Sequence, residues 1–134
     1  MREIERSRFV PMTPRELEGL LAPSRIVEFE GSFSVDSTVG GDGGTLLNVS
    51  GPGLAFTLRF EPLDRGFYYT QAGEAGPFES METWLTFESE NEGSRVSIQS
   101  AVSIGVPLPF SDRLAAWKRS GELDRMLDRL AAEA

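Results

Sequence analysis

Apolar and polar residues change their period twice along this chain. Residues 3–10 mix charges with Ile4, Phe9 and Val10 and read as a half-buried or edge strand. Pro11 ends it, because proline cannot donate to a ladder. A helix start follows: Thr13 can cap, Pro14 takes the first helical position and Glu16 stands three residues after the cap. Leu17, Leu20 and Leu21 then make one apolar stripe that stops near Ala22 and Pro23. A second short helical turn is predicted over residues 24–29, where Ile26, Val27 and Phe29 are apolar.

From Ser32 the period becomes two. Phe33, Val35 and Val39 share one parity, with Ser34, Asp36 and Thr38 on the other. The glycine-rich stretch 40–44 has strand-like sequence on both sides, so it predicts a hairpin turn. A phosphate cradle would have to open a helix. The clearest strand alternates Leu54, Phe56, Leu58 and Phe60 with Ala55, Thr57, Arg59 and Glu61. Asp64-Arg65-Gly66 turns it, and residues 67–71 return. Met81, Thr83, Leu85 and Phe87 alternate with Glu82, Trp84, Thr86 and Glu88. Asn91-Glu92-Gly93 turns again before Val96, Ile98, Ser100, Val102 and Ile104.

Pro107 and Pro109 break the strand pattern, and Ser111 or Asp112 can begin a final helix that spans residues 110–132. At 100° per residue this helix has a phase problem. Phe110, Leu114, Trp117 and Gly121 share one face, whereas Leu123, Met126, Leu127 and Leu130 lie nearly opposite. Either the helix breaks at Ser120-Gly121, or Gly121 leaves space above the sheet as part of a pocket wall. The element order predicts an α+β fold in which the last helix covers the apolar face of an antiparallel sheet. A curved sheet gripping a helix tends to leave a gap, and such a gap suits a small apolar molecule.

Composition narrows the chemistry. The 134 residues contain no cysteine and no histidine. That removes disulfides, thiolate catalysis, Ser-His-Asp arrangements and Cys-based zinc sites. Asp36 and Asp42 lack the spacing of a calcium loop, and no metal or other cofactor is expected. The net charge of −8 disfavours nucleic acid as a partner. The opening Met1-Arg2-Glu3-Ile4-Glu5-Arg6 has no apolar signal region, and no apolar run is long enough to span a bilayer. A cytoplasmic, single-domain protein is the expectation for residues 1–134.

The stretch Gly76-Pro77-Phe78-Glu79-Ser80-Met81-Glu82-Thr83-Trp84-Leu85-Thr86-Phe87, followed by Gly93-Ser94-Arg95-Val96, resembles the central strands of START-like (SRPBCC) proteins. These include polyketide cyclase/dehydrase, coenzyme-Q-binding and Bet v 1-like branches. The Thr13-Pro14 helix start and the closing helix fit the same pattern. The resemblance implies a helix-grip fold: a curved antiparallel sheet of about seven strands around a long C-terminal helix, with one or two short helices after the first strand. It also implies a cavity for lipids, quinones or polyketides. No catalytic residue carries over from it.

Strand parity then nominates a ligand-binding lining of Phe56, Leu58, Phe60, Tyr69, Met81, Leu85 and Val102, closed by Leu114, Trp117 and Gly121 from the helix. Tyr69, Gln71, Thr83 and Ser100 are the polar residues on inward positions. A buried hydroxyl without a partner costs about 1–3 kcal/mol, so each should find one. Arg59 and Arg95 fit cross-strand ion pairs with Glu61 or Glu88. Trp84, on the opposite parity, could mark a homodimer contact or pack under a loop. A non-catalytic carrier or sensor of a small hydrophobic ligand is the leading reading. The alternative is a cyclase- or dehydratase-type enzyme using Tyr69 or a buried carboxylate, without His, Cys or metal.

Overall fold

The computed structural model describes residues 2–41, 44–73, 76–104 and 111–134. Seven strands form one antiparallel sheet: β1 (Arg2–Val10), β2 (Ser34–Gly41), β3 (Gly44–Gly51), β4 (Leu54–Leu63), β5 (Gly66–Ala72), β6 (Ser80–Glu90) and β7 (Gly93–Ser103). Their spatial order is β1-β7-β6-β5-β4-β3-β2. Helices α1 (Pro14–Leu20) and α2 (Pro23–Glu30) link β1 to β2, and α3 (Ser111–Ala132) closes the fold. The sheet is curved, and α3 lies against β1, β7 and α2. This is the helix-grip arrangement expected from the resemblance.

Local chemistry explains most boundaries. Thr13 and Glu16 form a reciprocal capping box at the start of α1, with Glu16 N–H donating to Thr13 Oγ1 at 3.2 Å. β4 and β6 alternate as their sequences require: Phe56, Leu58, Phe60, Met81, Thr83, Leu85 and Phe87 are buried, while Arg59, Trp84 and Glu88 face out. The β6–β7 hairpin closes at Glu90 and Gly93 through Asn91 and Glu92, whose φ values are 45° and 65°. Two positive φ values are what a type I′ turn needs.

Two expectations require correction. Val39 is 52% exposed rather than inward. The β2–β3 register slips between Val35 and Ser37, so one extra residue enters β2 and reverses its parity. Beyond the slip, Thr38 stands opposite buried Leu47, and Val39 opposite exposed Leu46. The second correction concerns α3, which is one continuous helix through Ser120 and Gly121. Its covered face runs Ala115, Arg119, Glu122, Leu123, Met126, Leu127 and Leu130. Leu114 and Trp117 point away from the sheet, 62% and 76% exposed. Phe110, Pro107 and Pro109, like Asp42 between β2 and β3 in sequence, lie outside the described residues.

Charged residues fix α3 at two borders. Ile4, Arg6, Arg8 and Val10 share the inward parity of edge strand β1. Arg6 Nε meets Asp124 Oδ1 at 3.0 Å, and Arg8 pairs with Asp128 one turn further along α3. On the other border, Arg125 Nε donates to the Glu30 carbonyl at 2.9 Å, and Arg129 Nη1 to those of Glu28 and Phe29 at 3.1 and 3.3 Å. These carbonyls end α2 and have no helical partners of their own. Cations are favoured at that negative end of the helix. Gly31 follows in the left-handed region at φ 81°, where a Cβ would meet the Arg129 guanidinium. The last residue of α2, Glu30, is thereby held beneath α3.

Candidate functional site

Strand register assembles the site. Tyr69 of β5 stands directly opposite Thr83 of β6, and Thr83 directly opposite Ser100 of β7. The three hydroxyls form a transverse row on the concave face, and all three residues are fully buried. Phe60, the partner of Tyr69 on β4, stacks on its ring at a centroid distance of 4.3 Å.

Arg119 of α3 lies across this row. Its Nε donates to Ser100 Oγ at 3.2 Å, and its Nη2 to Thr83 Oγ1 at 2.8 Å and Tyr69 OH at 3.2 Å. The far edge of the guanidinium faces two carboxylates. Nη1 lies 2.7 Å from Glu30 Oε1 and 3.1 Å from Glu122 Oε1, and Nη2 lies 3.3 Å from Glu30 Oε2. Tyr69 OH donates to Glu30 Oε2. A guanidinium has five N–H donors, and protein acceptors surround all of Arg119's. Among the described residues, every buried side-chain polar atom has a partner.

Electrostatics follow from this geometry. Burial opposes the charge on Arg119, but Glu30, the Tyr69 oxygen and Glu122 outweigh it and hold its pKa well above the ordinary value. Burial also opposes ionisation of Glu122; Arg119, Ser32 and Lys118 outweigh it, so its pKa lies below the usual 4.5. Tyr69 moves the other way. Burial and the neighbouring Glu30 push its hydroxyl well above 10.0, despite the opposing pull of Arg119.

A cavity of about 20 Å3 adjoins this cluster. Glu30, Arg119 and Glu122 form its charged wall, and Phe56, Leu58 and Met81 form its floor. Phe33, Gln71, Pro77 and Phe78 complete it. Gln71 fastens the Phe78 peptide from both sides: its Nε2 donates to the Phe78 carbonyl at 2.6 Å, and its Oε1 accepts the Phe78 N–H at 3.2 Å. The space suits about one water molecule.

The expected lining residues separate into groups. Phe56, Leu58 and Met81 border the cavity. Tyr69, Thr83 and Ser100 contact Arg119 behind it. Phe60, Leu85 and Val102 are buried core. Leu114 and Trp117 do not close the interior, because they face outward from α3. Gly121 borders an open groove on the outside of α3, with Ser32, Trp117, Lys118, Ser120, Asp124 and Arg125. Glu30, Arg119 and Glu122 were missing from the expected set. The available signal was the demand for partners made by the inward hydroxyls, which the helix had to meet with a polar residue.

On the outer face, Trp84 packs on Tyr68 at 5.2 Å between ring centroids. Arg59 pairs with Glu61 at 2.7 Å, and Arg95 pairs with Glu90 at 2.8 Å rather than with Glu88. Among the described residues no helix is long and apolar enough to cross a membrane.

No protein-family model matches the sequence, and no curated protein matches it. Solved structures do. TTHA0849 from Thermus thermophilus is similar at 17% identity over 99% of each chain, with a TM-score of 0.70. A START superfamily protein from Mycobacterium smegmatis superposes at TM-score 0.72 and 9% identity, covering 98% of this chain and 95% of that one. Ara h 8.0201 does so at TM-score 0.60 and 16% identity over 98% of each chain. The chain therefore has the START-like helix-grip fold that Bet v 1-type proteins share.

Proposed function

We propose that this protein binds a small amphipathic molecule between the sheet and α3. One observation carries the reading: the cavity has a buried ionic wall on one side and Phe56, Leu58 and Met81 on the other. A ligand's apolar body would be held by burial, at about 25 cal/mol per Å2, and its polar end would be oriented by the ion cluster. The START-like fold supports hydrophobic-ligand binding in general. At about 20 Å3 this cavity by itself admits no lipid-sized molecule. Movement of the segment carrying Pro77 and Phe78, with release of its two hydrogen bonds to Gln71, would enlarge it.

The catalytic alternative would draw on the same buried groups. General acid–base work needs a pKa near the working pH. Tyr69 is pushed upward and Glu122 downward, so neither approaches neutrality. Binding is the reading this electrostatic arrangement favours.

Displacement of an environment-sensitive apolar dye by short-chain amphiphiles tests the proposal. Wild-type protein should release the dye, and Met81→Trp, which fills the cavity, should bind neither dye nor ligand. Native mass spectrometry of freshly isolated protein should show a co-purified small molecule. Absence of binding across a chemically broad panel, with Met81→Trp indistinguishable from wild type, would reject it.

A further inference from the structure

We infer that the polar end of the ligand is a hydrogen-bond donor, best a protonated amine, rather than a carboxylate or phosphate. This rests on the binding reading above and specifies its ligand class. Among the described residues Arg119 is the only cation on the cavity wall, and all of its donors already face protein acceptors. It therefore has no N–H free for an incoming anion.

The acceptors are less fully used. A carboxylate offers about four lone-pair sites. Glu30 receives Nη1 and Nη2 of Arg119 and the Tyr69 hydroxyl. Glu122 receives the Ser32 hydroxyl, its Oε1 receives Arg119, and its Oε2 lies 3.6 Å from Lys118 Nζ. The wall thus carries two carboxylates against one guanidinium, with acceptor sites remaining. Lys118 offsets this only from outside, because its side chain is 48% exposed and solvent screens it. Net negative charge in a largely buried pocket repels an anionic head and attracts a cationic one. Gln71, the other polar lining residue, has both ends of its amide engaged by the Phe78 peptide.

Hexylamine, hexanol and hexanoate share one tail and differ only in head group. Their affinities at neutral pH are read from NMR shifts of the Met81 methyl and the Phe56 ring. Moderate salt suppresses attraction of amines to the acidic surface. Hexylamine should bind about tenfold or more tighter than hexanoate, with hexanol between them. Glu122→Gln should remove most of hexylamine's advantage over hexanol.

Hexanoate binding as tightly as hexylamine in the wild-type protein overturns the inference and leaves the binding proposal standing. So do amine shifts confined to surface residues while hexanol perturbs Met81. Failure of all three probes to perturb Met81 or Phe56 counts against the pocket itself. The wild-type series decides the question even if Glu122→Gln does not fold.

Discussion

Arg119 and Glu30, 89 positions apart, meet in a two-point ion pair beneath α3, at 2.7 Å and 3.3 Å. Both are buried, and Glu122 joins them from the same helix as Arg119. Breaking a buried pair by deleting one partner typically costs about 3–5 kcal/mol, because the remaining charge stays desolvated. Arg119→Met should lose that much in urea unfolding at neutral pH. Replacing all three charges together with apolar residues should recover a large part of it. A loss below about 1 kcal/mol for Arg119→Met would contradict a desolvated cluster.

The same cluster sets opposite pH limits. Glu122 has a lowered pKa in the folded state, so its contribution is full above its unfolded pKa, near 4.5, and is lost as pH falls through the folded value. Tyr69 has a raised pKa, so its contribution is full below about 10 and is lost as pH rises toward the folded value. Thermal melts should show Glu122→Gln flattening the acid limb and Tyr69→Phe flattening the alkaline limb. Unchanged limbs in both variants would remove these groups as the cause.

The two faces of α3 should respond differently to truncation. Leu114→Ala and Trp117→Ala remove exposed side chains and should shift stability by no more than about 0.5 kcal/mol. Leu123→Ala opens a hole in the core and should cost about 2–5 kcal/mol. Chemical denaturation of the three variants checks the orientation of the helix. A large loss at Trp117 would reverse the assignment of its buried face.

Strain in the β6–β7 turn offers a stabilising change. Glu92 holds φ at 65°, a conformation that costs a side-chain-bearing residue about 1–2 kcal/mol. Glu92→Gly should raise stability by up to about 1 kcal/mol, since Asn-Gly suits a type I′ turn. A lower melting temperature would show that Glu92 makes a contact outweighing its backbone.

Elements with one wet and one dry face were legible in the sequence, as the period-two pattern of β4 and β6 shows. The Thr13–Glu16 box was legible because its chemistry is local. The end of β2 was not, because the slip after Val35 depends on pairing with β3 and leaves no mark in the apolar pattern. The N-terminal half of α3 misled for a different reason. Its covered face is ionic there, so counting apolar residues selected Leu114 and Trp117. Arg119 finds its main countercharge in Glu30, which arrives from a distant helix.

The order of synthesis gives the strand arrangement a further consequence. β1 emerges from the ribosome first, yet its neighbour in the sheet is β7, made after every other strand. Such non-local pairing slows folding and prolongs exposure of apolar surface. Until α3 follows, Leu123, Met126, Leu127 and Leu130 are missing from the concave face, and Glu30 has no countercharge. A nascent chain halted before α3 is thus both sticky and electrostatically unfinished, the kind of intermediate that chaperones and proteases capture.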